Sequence, residues 1–118
     1  MSQTQPKQQL TENQIVEHYK DLKAQQQQVI SRISEFESDI GEYSLVINAI
    51  QNLEPNRKCF RMVGGVLVER TVGDVLPQIK QNRDGIREVI KKLDENLQVK
   101  SKELNDFVAL YKIKITSQ

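Results

Sequence analysis

The sequence predicts a mostly α protein: a long antiparallel two-helix coiled coil whose helices are joined by a central β-hairpin. Three observations predict it. Apolar residues recur at alternating four- and three-residue steps on both sides of the chain centre, from Ile15 to Ile50 and from Val72 to Tyr111. Between them, Cys59 to Thr71 is a β-branched and apolar run broken by Gly64-Gly65. The two periodic stretches are also matched in length, as a helical hairpin requires.

Composition sets the outer limits. The 118 residues contain no Trp, 5% aromatics and 28% charged residues, enough apolar side chains for a seam but few for a globular core. The net charge of +1 gives no reason to expect nucleic acid or an anionic membrane as partner. The single cysteine, Cys59, permits no intrachain disulfide and fits a reducing compartment. The first ten residues are polar and Gln-rich, without the apolar core of a secretory signal, and no 18-residue apolar run offers a membrane span. A soluble, intracellular protein is the resulting expectation.

Residues 1–10 read as a disordered, Gln-rich tail. The first helix is expected over 11–54. Thr11 and Gln14 form a capping box, Leu10 and Ile15 can staple the entry, and Pro55 disfavours helical geometry at Glu54. Its seam is Ile15, Tyr19, Leu22, Gln26, Val29, Ile33, Phe36, Ile40, Tyr43, Ile47 and Ile50, apolar at every position but Gln26. Five consecutive heptads exceed what a coiled-coil reading needs. At 1.5 Å per residue this helix would be roughly 64 Å long. The run Gln25 to Gln28 reads as polar helix surface.

Residues 55–73 form the hairpin segment. With Gly64-Gly65 as a two-residue turn, Val63 pairs with Val66, Met62 with Leu67, Arg61 with Val68 and Phe60 with Glu69. Alternation then places Val63, Val66 and Val68 on one face and Phe60, Met62 and Leu67 on the other. Both faces are apolar near the turn. Such a patch with two open strand edges is an assembly site, with Arg61, Glu69 and Arg70 supplying charge at its flanks.

The second helix starts between Thr71 and Asp74. Thr71 with Asp74 resembles a capping box, whereas Asp74 as N-cap would put Pro77 in the first turn; the helix is drawn as 74–112, with 113–118 as a tail. Its seam is Val72, Leu76, Ile79, Arg83, Ile86, Ile90, Leu93, Leu97, Lys100, Leu104, Phe107 and Tyr111. Folding the chain at the Gly-Gly turn pairs positions that sum to 126, so that Leu22 meets Leu104 and Ile47 meets Ile79. The polar exceptions then coincide: Gln26 meets Lys100, and Tyr43 meets Arg83 in a cation–π contact.

The run Arg61-Met62-Val63-Gly64-Gly65-Val66-Leu67-Val68-Glu69-Arg70-Thr71-Val72, followed by Val75-Leu76-Pro77, resembles the signature of the β-type prefoldin subunits. Ser44-Leu45-Val46-Ile47 and Lys102-Glu103-Leu104-Asn105 fit the same family, and the resemblance extends from residue 11 to residue 111. It implies a cytoplasmic protein, with the nucleus as a second location, in a heterohexamer with two α-type and three further β-type prefoldin subunits. Their hairpins join into a β-barrel platform from which the coiled coils hang. The ends of the coiled coils hold unfolded actin and tubulin, which pass without ATP to the cytosolic group II chaperonin.

On that reading the oligomer-assembly residues are Phe60, Met62, Val63, Gly64, Gly65, Val66, Leu67 and Val68. Client binding needs accessible apolar groups near the helix termini, and the candidates are Val16, Tyr19, Phe107, Leu110, Tyr111, Ile113 and Ile115. For Tyr19, Phe107 and Tyr111 the competing role is closure of the last coiled-coil layers. Ile113 and Ile115 lie past the paired region, where no partner is expected for them. A passive coiled-coil adaptor in a tethering or scaffold complex is the alternative function.

Parts for catalysis are missing from the sequence. By chain geometry His18, the only histidine, should lie most of a helix away from Cys59, too far for a nucleophile–base pair. No cluster has metal-ligand spacing, and Gly64-Gly65 lacks the Gly-Lys-Ser/Thr of a phosphate loop. Neither a catalytic residue nor a cofactor is therefore expected.

Overall fold

A computed structural model describes residues 10–113. The Gln-rich stretch 1–9 and Ile115 fall outside the described residues. Element order is α1 (Glu12–Ile50), β1 (Lys58–Val63), β2 (Val66–Thr71) and α2 (Val72–Tyr111), two long helices with a two-stranded antiparallel sheet between them. By its contacts the chain forms two compact units, residues 33–92 and residues 1–32 with 93–118.

Helix α1 starts as its sequence dictates. The Gln14 amide donates to Thr11 Oγ1 at 3.1 Å, and the Thr11 amide donates to Gln14 Oε1 at 2.9 Å. This reciprocal box satisfies two amides that the helix itself cannot. The helix ends at Ile50, four residues before the expected Glu54. After it, the Leu53 amide turns back to the Ile50 carbonyl (3.0 Å) and the Arg57 amide to the Glu54 carbonyl (2.9 Å).

The reason for this early exit lies at the start of α2. The amide of Val72 donates to the Arg57 carbonyl and that of Gly73 to the Pro55 carbonyl, both at 2.9 Å, while the Asp74 amide donates to Thr71 Oγ1 at 3.3 Å. Three first-turn amides thus find acceptors, two of them in the 55–57 loop. These acceptors place the start at Val72 rather than at an Asp74 cap. Pro77 consequently lies inside the helix, past the first turn, and leaves the Gly73 carbonyl without its i+4 amide. Gly73 and Pro77 are both exposed, so water can reach that carbonyl.

The hairpin register is the one the Gly-Gly turn demands: Val63↔Val66, Met62↔Leu67, Arg61↔Val68 and Phe60↔Glu69, continued by Cys59↔Arg70 and Lys58↔Thr71. Gly64 (φ +55°) and Gly65 (φ +82°) both adopt positive φ, the signature of a type I′ turn.

Every seam position of both helices is buried or half-buried. In the 33–92 unit the core is Ile47, Val75 and Ile79, with Tyr43, Ile50, Cys59 and Leu76 packed against it. Ile47 and Ile79 meet as the 126 register requires. The Tyr43–Arg83 contact does not form. Arg83 turns to its neighbour Asp84, Nε to Oδ1 at 3.1 Å, because a carboxylate one residue away holds a guanidinium more strongly than a ring face does. Tyr43 packs instead on the apolar cluster.

In the other unit, Leu22, Val29 and Leu104 are buried, and a polar layer carries the register. Gln26 Nε2 donates to Ser101 Oγ at 3.0 Å, and Lys100 Nζ donates to Gln25 Oε1 at 2.7 Å. The pair expected between Gln26 and Lys100 is thus realised as two crossed bonds, each reaching one residue to the side. Lys100 also lies 3.8 Å from Glu103.

Candidate assembly and client-binding surfaces

The two faces of the hairpin are not equivalent. Cys59, Arg61 and Val68 share one face and are half-buried. Cys59 packs on the Ile47–Val75–Ile79 cluster, and the Arg61 guanidinium donates to Gln78 Oε1 of α2. Away from the turn this inner face is committed within the chain, whereas Val63 and Val66, which share it beside the turn, are open. Val68, expected among the assembly residues, belongs to it. The outer face carries Phe60, Met62 and Leu67, exposed by 62%, 63% and 61%. Val63 and Val66, beside the turn, are exposed as well. Lys58 and Glu69 flank the outer face as a 3.6 Å ion pair, itself largely solvated.

Covering Phe60, Met62 and Leu67 would contribute on the order of 1–2 kcal/mol apiece. That is large for a two-stranded sheet, which is marginal on its own in water. The apolar surface extends beyond the strands. A groove of about 410 Å³ runs between α1, β1 and α2, lined by Tyr43, Val46, Ile50, Cys59, Met62 and Val75 among others. Leu45 and Val46 are exposed on α1 in the same unit. Neither stands on the seam, so the heptad pattern assigns them no partner.

The second surface lies where the helix ends of the 1–32/93–118 unit meet. Val16 and Leu110 are exposed, by 47% and 58%, whereas Tyr19, Phe107, Tyr111 and Ile113 are half-buried. The Phe107 ring lies 4.7 Å from the His18 ring, edge to face, and 4.8 Å from Tyr111. Phe107 therefore takes part in closing the coiled coil, and His18 is its unforeseen partner. His18 sits just off the seam, where periodicity assigns no packing role.

Ile113 departs from expectation. It is half-buried and lines a cavity of about 270 Å³ with Ile15, Val16, Tyr19 and Lys20 of α1, so it has partners within the chain. The turn that seats it is unusual. Lys112 adopts φ +52°, and the Ile113 amide donates to the Val108 carbonyl at 3.1 Å. Together these make the six-to-one bond of a Schellman motif, with lysine at the position glycine usually holds. No glycine advertised this turn in the sequence.

Among the described residues no group of three His, Cys, Asp or Glu side chains could hold a metal ion, and no helix is long and apolar enough to cross a membrane. The Lys102 ammonium is held above the ordinary lysine value by its 2.8 Å hydrogen bond to Asp106 one turn on, followed by that carboxylate's charge. Both groups are solvated on the helix exterior, and they build no site.

Comparison with known proteins agrees with this geometry. The sequence model of the family described as "Prefoldin subunit" matches residues 5–118. The chain is 88% identical to a probable prefoldin subunit 2 of Dictyostelium discoideum, over 98% of this chain and 99% of that one. It is 50% identical to the prefoldin subunit 2 of Arabidopsis thaliana, over 91% of this chain and 72% of the relative. Against the Homo sapiens prefoldin subunit 2 the identity is 40%, over 89% and 68% respectively. Among solved structures, the prefoldin beta subunit from Thermococcus strain KS-1 superimposes with a TM-score of 0.77, covering 92% of this chain and 93% of that one. The beta2 subunit from the same source gives 0.68, over 77% and 97%. At 16% and 22% identity these two likenesses establish the fold alone.

Proposed function

The chain belongs to the prefoldin subunit family, a family of non-enzymatic co-chaperone subunits, and from that premise we propose that it builds a heterohexamer through its hairpin and holds unfolded proteins at its helix ends. The hexamer contains two α-type subunits and three further β-type subunits beside this one. The outer face of Phe60, Met62 and Leu67, with Val63 and Val66 at the turn, is the surface its neighbours cover. Gly64 and Gly65 supply the turn geometry. The clients are unfolded actin and tubulin, released to the cytosolic group II chaperonin in the cytoplasm without ATP.

One observation carries the client reading. Val16 stays exposed while lining a cavity with Ile15, Tyr19 and Ile113, and Leu110 is exposed near the end of α2, giving unfolded chains an apolar landing surface that the seam does not consume. A passive adaptor has no use for such a surface.

The test replaces both exposed residues, Val16→Glu and Leu110→Glu, in the hexamer reconstituted with its partner subunits. Because both positions are solvated, the coiled coil should persist. The fraction of bound denatured actin that cross-links to this subunit should fall at least severalfold. Unchanged cross-linking in an intact hexamer would return the chain to the role of a passive adaptor.

A further inference from the structure

The C-terminal turn of α2 does more than end the helix. Three features converge on it. Lys112 stands in the left-handed region, at φ +52°, where a side chain other than glycine is disfavoured by about tenfold in population. The Ile113 amide is tied to the Val108 carbonyl at 3.1 Å, which holds that conformation closed. The Ile113 side chain, half-buried, lies against the α1 cavity of Ile15, Val16, Tyr19 and Lys20.

We propose that Ile113 is an internal occupant of the client surface, a strap that competes with apolar client side chains for the cavity of Ile15, Val16 and Tyr19. The inference rests on the client reading given above and adds its regulation. A glycine at position 112 would make the turn a permanent cap. Lysine leaves it poised: one hydrogen bond and part of one isoleucine hold it against an unfavourable backbone state. Opening moves Ile113 away and widens an apolar cavity that already measures about 270 Å³. The occupant that best replaces Ile113 is a branched or aromatic side chain from an unfolded segment. The competition would let weak, transient clients leave, since the strap can re-enter as each side chain departs.

The test uses two variants of opposite sign in the reconstituted hexamer. Lys112→Gly relieves the left-handed penalty and Lys112→Val, β-branched, worsens it. Two readouts are taken: amide hydrogen exchange at Ile113, and cross-linking of denatured actin to this subunit. Lys112→Gly should slow exchange about fivefold and weaken actin capture by a similar factor. Lys112→Val should quicken exchange and raise capture. If exchange responds while capture does not, the strap is no competitor; if exchange itself is indifferent, the turn is no switch. Either result overturns the inference. The Val16→Glu/Leu110→Glu variant separates the two readings. Capture lost there but indifferent to Lys112 removes the strap alone, and capture unaffected by any of these changes removes both.

Discussion

The amide of Gly73 donates to the carbonyl of Pro55 at 2.9 Å, and a Cβ placed on Gly73 would stand 3.2 Å from that same oxygen. The contact joins the loop after α1 to the first turn of α2. It is also what the choice of helix start depended on.

A first prediction follows from how little that oxygen can move. Pro55 is the second residue of a turn closed by the Arg57 amide on the Glu54 carbonyl, so the loop resists the shift a new methyl would require. Gly73→Ala should therefore destabilise the chain by about 1 kcal/mol, the crowding outweighing the gain in helix propensity. Gly41, with nothing within 4 Å of its would-be Cβ, should respond oppositely. Gly41→Ala should stabilise by about 1 kcal/mol. Thermal melting followed by circular dichroism checks both, and a Gly73→Ala protein that melts later than the parent would contradict the first.

A second prediction separates the hairpin faces. Met62→Glu with Leu67→Glu places charges on the exposed outer face, where the free chain tolerates them. Helix content should be preserved and the hexamer lost, because assembly would bury unpaired carboxylates. Val68→Ala, on the inner face, should instead lower stability by about 1 kcal/mol and leave the hexamer's composition unchanged. Native mass measurement distinguishes the outcomes. An intact hexamer carrying both glutamates would show that some other surface performs assembly.

The third prediction concerns the polar layer. Gln26→Leu with Lys100→Leu converts two half-buried polar seam positions into apolar ones. The gain should be about 1–2 kcal/mol, since polar groups in a coiled-coil seam reduce stability in return for register. Loss of register should accompany it. Cysteines placed at 22 and 104 should oxidise cleanly in the parent and less completely in the double-leucine chain. Equal yields in both would mean that the Gln26–Ser101 and Lys100–Gln25 bonds do not set the alignment.

Much of this molecule could be read before folding it. The capping box of Thr11 and Gln14, the heptad seams and the four central hairpin pairs all depend on short-range rules. Side-chain reach across one helical turn, a 3.5-residue repeat and the φ > 0 demand at Gly64-Gly65 are properties of neighbouring residues. They hold wherever the segment ends up.

Other features depended on competition between partners distant in sequence. The start of α2 at Val72 rather than Asp74 was decided by the carbonyls of Pro55 and Arg57, which are invisible to a capping rule applied at Thr71 or Asp74 alone. Periodicity assigned apolar residues to both faces of the hairpin, but only packing of Cys59 on Ile47, Val75 and Ile79 made one of them the inner face. Arg83 chose Asp84 over Tyr43 on the strength of charge. At the C-terminal turn, Lys112 took a backbone state its residue type disfavours because the Val108 carbonyl and the α1 cavity together reward it. Sequence alone determined which elements form and how they align. Tertiary structure decided which apolar surfaces remain open, since exposure is set by what packs nearby and not by the residue itself.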